Sequence, residues 1–311
     1  MILVTTYYNS DLDGYACSRG YAELLNNSGK EAYAAIFGGI IKETRYLLDR
    51  FNISPLGSIE TPDDPRDDIV LTDTHRLGSL KGRIDPARVI EIIDHHEALD
   101  DIAATFPYAR VQNERVGAAA TLIAERFQNA HIAPATPTAI LLWGAIYSNT
   151  LYFRAAVTTP RDRHAAQWLQ GIHRLDESLI HDMFRAKSMI TDDEIHGSLE
   201  HDLWKRAIAG EEIAYFQMEI IESDRFIAQH RMAMQAILQE YRDKGFTYSF
   251  ISILDLEKGV NRFITADTKC QALLSSLISL QWEDDIGSID HLILRKELGP
   301  QILRYLSAHQ S

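Results

Sequence analysis

The sequence predicts an α/β fold, in which a mostly parallel sheet carries helices on both faces and a smaller α+β domain follows. Two observations support this prediction. Short runs rich in Ile and Val alternate with helical or turn-forming segments through the first half of the chain, as in a buried parallel sheet. Near residue 185 the chain becomes polar and charged, with little apolar periodicity before residue 202. We therefore predict a first domain over residues 1–185 and a second over residues 186–311.

The first domain is predicted to alternate strands and helices. Its predicted strands are ILVTTY (2–7), EAYAAIF (31–37), IVLTDTH (69–75) and VIEIIDHH (89–96). Its predicted helices are 15–27, 40–51, 117–127 and 137–151. The last of these helices is apolar enough to be buried.

The second domain is predicted to follow a polar linker and entry segment over residues 186–202. Its predicted strands are EIAYFQMEI (212–220), YSFISILDL (248–256), NRFITAD (261–267) and HLILRK (291–296). Its predicted helices lie at about 224–244 and around QALLSSLI. This order of elements is typical of a small α+β domain.

Composition and charge argue against several classes of partner. The chain has 311 residues and a net charge of −13, which disfavours a nucleic-acid backbone as the main partner because phosphate binding needs a basic surface. Its two cysteines, Cys17 and Cys270, do not make a disulfide scaffold. No run approaches the ~20 apolar residues of a membrane span, and the N-terminus does not resemble a signal peptide. We therefore expect a cytoplasmic protein that does not enter a membrane.

Acidic and imidazole side chains follow the predicted first, third and fourth strands. They are Asp11 and Asp13 in NSDLDG, Asp73 and His75 in LTDTH, and Asp94, His95 and His96 in IIDHHE. Parallel strands share one carboxyl edge, where ligands bind at the point at which the strand order reverses. Each residue alone also fits a structural role, with Asp11 as a helix cap, Asp73 as a turn residue and His95 as a core histidine. Together they would form a costly buried acidic cluster unless a counter-charge lies among them.

Divalent metal ions would supply that counter-charge. Carboxylate and imidazole ligands suit Mn²⁺, Mg²⁺ or Co²⁺, and the lack of a thiolate cluster argues against a structural zinc site. If Asp73 bridges two ions, they would lie ~3.5–4 Å apart, the spacing at which such pairs acidify a water molecule and clamp a phosphoryl group. Asp11 and Asp13 would each face one ion, and Gly14 would let the chain turn closely around them.

The order DLDG, then a lone Asp at a strand end, then DHH resembles the DHH phosphoesterase superfamily. The segments ERVGAAATLIAERF (114–127) and IYSNTLYFRAAVTTPRD (146–162) look like the EPVGCTATxI and SDTLLFKSPT segments of family II, manganese-dependent inorganic pyrophosphatases. The segments WKRAIAGEEIAYFQMEI (204–220) and LRKELGPQIL (294–303) look like parts of a type 2 DHH-associated domain, which yeast-type exopolyphosphatases share. The resemblance implies a DHH phosphoesterase domain followed by a substrate-binding domain.

The resemblance also implies a role for each matching residue. The positions of metal ligands are matched by Asp11, Asp13, Asp73 and His95. His96 and Asp94 are the predicted catalytic residues. His96 matches the residue that faces the substrate phosphate, and Asp94 matches the carboxylate behind the two histidines, which would orient an imidazole. The cations that the second domain would bring over the phosphates are matched by Arg295, Lys296 and Lys205.

Two positions depart from the pyrophosphatase pattern. Tyr7 stands where those enzymes have His, and a tyrosine hydroxyl stays protonated at neutral pH. Asn149 stands where they have a metal-binding Asp, and it can offer only a weaker carbonyl ligand. His75 could replace a lost ligand or be an ordinary turn histidine. Glu297 replaces a frequent second Lys, which makes the phosphate-facing wall less basic.

These patterns predict a phosphohydrolase that uses two metal ions, either Mn²⁺ or Mg²⁺, with Co²⁺ also suitable. Its predicted substrate is a phosphoanhydride or phosphoester such as polyphosphate, pyrophosphate or a nucleotide. Two alternatives stay open. One is a phosphodiesterase acting on short oligonucleotides or cyclic dinucleotides. The other is a non-catalytic sensor of a phosphate ligand with a degenerate metal site, which Tyr7 and Asn149 favour. The expected partner is a small phosphate-containing anion, with nucleic acid limited to short oligonucleotides. The resemblance is compatible with a homodimer.

Overall fold

The computed structural model describes residues 1–97, 101–201 and 203–309. The chain divides into two compact units, Met1–Ala186 and Lys187–Ser311. No helix within the described residues is long and apolar enough to cross a membrane.

The first unit is built on a six-stranded sheet in which every neighbouring pair is parallel, in the order β3-β2-β1-β4-β5-β6. Its strands are β1 (Ile2–Thr5), β2 (Ala32–Ile36), β3 (Gly57–Ser58), β4 (Asp68–Thr72), β5 (Val89–Asp94) and β6 (Arg110–Asn113). Its helices are α1 (Leu12–Asn27), α2 (Lys42–Arg50), α3 (Ile102–Thr105), α4 (Ala119–Asn129), α5 (Thr136–Asn149), α6 (Pro160–His173) and α7 (Ser178–Ser188), which ends two residues into the second unit. The predicted fold class is confirmed.

The two faces of this sheet are covered differently. On one face α1 lies against β1 and β2 and packs also on α4 and α5, and a Cβ at Gly20 of α1 would lie only 3.1 Å from Ile123. On the other face Ile69 and Leu71 of β4 pack with Leu80 and Phe106, which belong to the segments that follow β4 and β5. The alternation of side chains along β4 separates these two apolar layers.

A partly buried ion-pair network ties α1 and α4 to β5. The Glu91 side chain accepts hydrogen bonds from the Tyr21 hydroxyl at 2.6 Å, from Arg110 at 2.6 Å and from Arg126 at 2.8 Å. Burial raises the pKa of Glu91, but these donors outweigh it and hold the pKa below the usual 4.5. No local sequence pattern indicates this network, because its members are separated by up to 105 residues.

Glu91→Gln is expected to reduce the acid sensitivity of the fold. Because the pKa of Glu91 is depressed in the folded state, its contribution to stability is present above pH 4.5 and is lost as the pH falls below that value. At pH 7 the variant should be less stable by about 1–3 kcal/mol, since its neutral amide bonds the two guanidinium groups less strongly. Urea unfolding between pH 3 and 7 measures both effects. Glu60→Gln, which breaks the exposed Glu60–Arg83 pair, is the control, and an equally steep acid decline in Glu91→Gln would contradict the prediction.

The second unit contains a mixed sheet in the order β11-β12-β10-β9-β8-β7, in which only β8 and β9 pair in parallel. Its strands are β7 (Leu203–Ile208), β8 (Glu211–Ile220), β9 (Tyr248–Asp255), β10 (Val260–Ile264), β11 (Gln281–Glu283) and β12 (Ile286–Ile289). Its helices are α8 (Asp192–His201), α9 (Ser223–Asp243), α10 (Thr268–Leu277) and α11 (Arg295–Ala308). One apolar cluster lies between the sheet and α8 and α9, and another between the sheet and α10 and α11.

Two segments of the second unit differ in secondary structure from what was predicted. The stretch predicted as a polar linker and entry segment contains α8, whose start is capped by Glu194 accepting from the Thr191 backbone N–H at 2.9 Å. Its Ile195 and Leu199, four residues apart, are buried in the core, so two apolar side chains suffice to dock a polar helix. The predicted last strand, HLILRK, instead leads into α11, where Glu297 accepts from the Leu294 N–H at 2.8 Å. The strands β3, β6, β7, β11 and β12 were not predicted as strands.

Candidate metal centre

The residues predicted to hold metal lie where the strand order reverses. β1 and β4 are neighbours in the sheet, with the chain continuing from β1 to β2 on one side and from β4 to β5 on the other. Asp11 follows β1 and starts α1, and Asp73 follows β4 directly. The crevice between such strands is the usual ligand site of an open parallel sheet. The predicted third strand was too long, because it ends at Thr72 rather than at His75.

Asp11 acts as the cap of α1. Its Oδ1 accepts from the backbone N–H groups of Asp13 at 2.9 Å and Gly14 at 3.1 Å, while its Oδ2 takes no part in these bonds. The Tyr7 hydroxyl accepts from the Asp11 N–H at 3.1 Å. Burial, followed by the charges of Asp11 and Asp73, raises the pKa of Tyr7 well above 10, so Tyr7 offers no phenolate to a metal. A Cβ at Gly14 would lie 2.4 Å from the Thr6 hydroxyl, which explains the glycine.

Asp13 is buried at the N-terminus of α4. Its carboxylate accepts from the backbone N–H groups of Ala119 at 2.7 Å and Ala120 at 2.8 Å, where the helix dipole favours negative charge. It also accepts from the Asn149 amide at 2.6 Å and from the Cys17 thiol at 3.4 Å. Burial is the main cause that raises the pKa of Asp13 to about 6.

Asp73 has no hydrogen-bond partner for either carboxylate oxygen, although its side chain is only 1% exposed. Its backbone has a φ of +58°, a left-handed conformation that Asp tolerates better than most residues. Burial and then the charges of Asp13 and Asp11 raise the pKa of Asp73 well above 3.8. A buried carboxylate with no donor is costly, and a cation would remove that cost.

His95 is oriented so that Nε2 faces the carboxylates. Its Nδ1 lies 2.9 Å from the Val116 carbonyl oxygen and donates to it, which leaves Nε2 3.3 Å from Asp73 Oδ1 and 3.7 Å from Asp13 Oδ2. Nε2 has no hydrogen bond of acceptable geometry. Burial lowers the pKa of His95, but Asp73 outweighs this and raises the pKa to about 10. A backbone carbonyl on Nδ1 is the usual arrangement of a histidine that binds metal through Nε2.

Asp94 is a fully buried acceptor behind the two imidazoles of His75 and His96. Its Oδ1 accepts from His96 Nδ1 at 2.8 Å and from the His95 backbone N–H at 2.7 Å, and its Oδ2 contacts His75 Nδ1. Burial raises its pKa, but these donors dominate and hold the pKa far below 3.8. Asp94 therefore orients His96 and His75, as predicted for an imidazole, while the Val116 carbonyl orients His95. Asp94 was predicted as catalytic, but these contacts make it a positioning residue.

The structure brings three potential ligands together. Within the described residues, Asp73, His95 and His96 form the group whose ligand atoms lie within 4.8 Å of one another. The orphaned oxygens of Asp73 and Nε2 of His95 fit a divalent cation in both charge and donor type. His75 does not join this group, although its Nε2 is buried without a partner. The side chain of His96 is 53% exposed, as expected of a residue that also meets a substrate.

One residue that was not predicted from the sequence, Asp162, organises the loop before α4. Asp162 of α6 is fully buried and accepts from the Gly117 N–H at 2.9 Å, the Thr121 hydroxyl at 2.6 Å and the Thr159 N–H at 2.7 Å. A Cβ at Gly117 would lie 2.5 Å from the Thr150 methyl group. Because Val116 and the first residues of α4 contact His95 and Asp13, Asp162 supports the site from behind. Its TTPRD context is a capping-box pattern that could have marked it.

The three predicted phosphate-binding cations do not lie together in the second unit. Arg295 and Lys296 start α11, and this helix packs on β7, where a Cβ at Gly299 would lie 3.3 Å from Trp204. Lys205 follows Trp204 on the strand and therefore points to the opposite face. There its ammonium group lies 5.2 Å from the centre of the Tyr241 ring. The grouping of Lys205 with Arg295 and Lys296 is therefore corrected.

Comparison with known proteins supports the assignment of the first unit. Residues 1–146 match the DHH family, N-terminal domain, and these residues include Asp11, Asp13, Asp73, His95 and His96. The predicted resemblance to the DHH superfamily is thus confirmed.

Relatives of known name cover between three quarters and nearly all of this chain. A probable manganese-dependent inorganic pyrophosphatase of Clostridium acetobutylicum is 24% identical over 298 residues, which are 96% of this chain and 95% of the relative. The manganese-dependent inorganic pyrophosphatase of Methanothrix thermoacetophila is 29% identical over 244 residues, or 76% of this chain and 77% of the relative. A crystal structure from Methanococcus jannaschii, proposed as a family II inorganic pyrophosphatase, has a TM-score of 0.71 at 21% identity and covers 98% of this chain and 99% of its own. That structure establishes a shared fold.

Proposed function

We propose that the protein is a metal-dependent phosphohydrolase that cleaves a phosphoanhydride or phosphoester bond, with Mn²⁺ as its native metal. The observation that carries this proposal is Asp73, a buried carboxylate with both oxygens unpartnered beside an unpartnered His95 Nε2. The relatives named as manganese-dependent pyrophosphatases support both the metal and the reaction class. Pyrophosphate and short polyphosphates are the first substrates to test.

The residues of the centre would divide the work as follows. Asp73 and His95 would hold the cation. When bound, the cation would offset phosphate charge and lower the pKa of a water molecule. His96 is exposed and its Nδ1 is fixed by Asp94, so that Nε2 is the atom presented to the substrate. It can donate a hydrogen bond or a proton to a phosphate oxygen there, because Asp94 raises its pKa above 6.5 against the lowering effect of burial.

We further propose that Arg295 and Lys296 contribute to phosphate binding. Arg295 is held at the first turn of α11, where its backbone N–H donates to Gln217 at 2.6 Å. A guanidinium beside an ammonium suits an oligophosphate, since the planar fork of Arg matches two phosphate oxygens at once. Lys205 lies on the other face of the sheet and is not part of this proposal.

The test is phosphate release by the purified protein with Mn²⁺, Mg²⁺ or Co²⁺ added after metal removal. Substrates would be pyrophosphate, tripolyphosphate, a nucleoside triphosphate, a short oligonucleotide and a cyclic dinucleotide. Cleavage of the last two would be followed by chromatography, because hydrolysis of a phosphodiester releases nucleotides and no free phosphate. We expect Mn²⁺-dependent release from a phosphoanhydride, loss of this release in Asp73→Asn and retention in Asp49→Asn, which alters an exposed residue of α2. Cleavage of the oligonucleotide or cyclic dinucleotide alone would favour the phosphodiesterase alternative. Absence of any hydrolysis, together with weak Mn²⁺ binding, would favour the sensor alternative, in which the metal site is degenerate.

A further inference from the structure

Asn149 lies beside Asp13, at a position where a second carboxylate would need a cation next to it. It is the last residue of α5, and its Nδ2 donates to Asp13 Oδ2 at 2.6 Å. The nitrogen must face Asp13, because a carboxylate only accepts and the amide oxygen would be repelled. The pair is therefore held together by its own hydrogen bond.

The acceptor capacity of Asp13 is fully used by the protein. Oδ2 accepts from Ala119 and Asn149, and Oδ1 accepts from Ala120 and Cys17. A carboxylate has about four lone-pair sites, so a metal ion could bind Asp13 only by displacing one of these donors. The backbone donors belong to the first turn of α4 and cannot move without the helix.

Asp73 shows the opposite state within the same centre. Neither of its oxygens has a donor, and His95 Nε2, at 3.3 Å from Oδ1, is also without a hydrogen bond. Asp73 and His95 therefore have atoms free to bind a cation, whereas the oxygens of Asp13 are already occupied by neutral donors. We expect a metal ion to bind more tightly at Asp73 and His95 than at Asp13.

We infer that the centre holds one resident metal ion, bound by Asp73 and His95, and that the Asp13–Asn149 hydrogen bond replaces the second ion. This inference rests on the proposed function, since it concerns the ion that the proposed hydrolase would use. It differs from the two resident ions that the resemblance implies. A second ion would enter only at high metal concentration or together with a phosphate substrate that carries it.

The experiment counts Mn²⁺ retained by the whole chain after saturation and desalting, with atomic emission as the readout. We expect one Mn²⁺ per chain in the wild type and two in Asn149→Asp, because the new carboxylate needs a cation beside Asp13. Asn52→Asp adds the same charge at an exposed position after α2 and should retain one. Asp73→Asn should retain none. In metal-free buffer Asn149→Asp should unfold several degrees below the wild type, and Mn²⁺ should restore it.

A second measurement does not depend on the folding of any variant. Electron paramagnetic resonance of the Mn²⁺-loaded wild type should show an isolated ion without exchange coupling to a neighbour. Two retained Mn²⁺ ions with a coupled signal in the wild type would overturn the inference and leave the proposed function standing. No retained Mn²⁺ and no phosphate release would overturn both. An unchanged count of one in a folded Asn149→Asp would show that Asn149 does not set the metal number, and would also overturn the inference.

Discussion

Replacing Asp73 by asparagine is expected to abolish metal-dependent phosphate release and, at the same time, to stabilise the metal-free protein. Asn fits the left-handed backbone at this position as well as Asp does. The substitution removes a buried carboxylate whose two oxygens have no donor and whose neighbours include Asp13. Relief of such a group should raise the free energy of unfolding of the metal-free form by about 1 kcal/mol.

The loss of function should be large because the cation supplies several kcal/mol to the transition state. A loss of about 4 kcal/mol corresponds to a factor of about 10³ in rate. Mn²⁺ at about 100 times its dissociation constant should stabilise the wild type by about 2.7 kcal/mol and should leave Asp73→Asn unchanged. Two thermal unfolding scans, with Mn²⁺ and with a chelator, measure both effects, and Asp49→Asn should behave as the wild type. A metal-free Asp73→Asn protein that melts below the wild type would contradict this account of Asp73.

The parts of this protein that could be predicted are those encoded by short local patterns. In NSDLDG, Asp11 caps a helix and Gly14 allows a close approach of the backbone. IIDHHE ends a buried strand. Both motifs therefore place polar groups at the same edge of the sheet. Asp11, Asp13 and Asp73 do lie at the switch between β1 and β4, and His95, which follows β5, faces Asp73 there. The alternation of Ile- and Val-rich runs with helical segments was sufficient for the fold class, because a parallel sheet requires both.

The parts that could not be predicted depend on distant contacts or on register. Val116 and Asp162 support the site through pairings with residues 21 and 45 positions away, and no local pattern encodes such distances. Lys205 illustrates the problem of register, because a shift of one residue moves a strand side chain to the other face. The helix α8 was not predicted because two apolar residues are too few to give a clear helical pattern. Its stability comes from the packing of these two residues, Ile195 and Leu199, in the core.

Asp162→Ala tests whether this distant support matters. The substitution removes an acceptor from the Gly117 N–H, the Thr121 hydroxyl and both donors of Thr159. Leaving several buried donors unpaired should lower the free energy of unfolding by about 3 kcal/mol or more, even after local relaxation.

The same substitution should weaken metal binding without touching a ligand. The Asp162-bound loop carries the Val116 carbonyl that fixes His95 and precedes the N–H groups that hold Asp13. Loss of support behind metal ligands typically costs about 10–100-fold in affinity, which Mn²⁺ titration calorimetry at a temperature well below unfolding would measure. Asp176→Ala removes an exposed carboxylate that accepts from the Ser178 N–H, so it should cost about 1 kcal/mol and leave Mn²⁺ affinity unchanged. If the two variants lose equal stability and bind Mn²⁺ equally well, Asp162 does not position the centre. If only Asp162→Ala loses affinity, the geometry of His95 and Asp13 depends on a residue that lies outside the matched DHH-family segment.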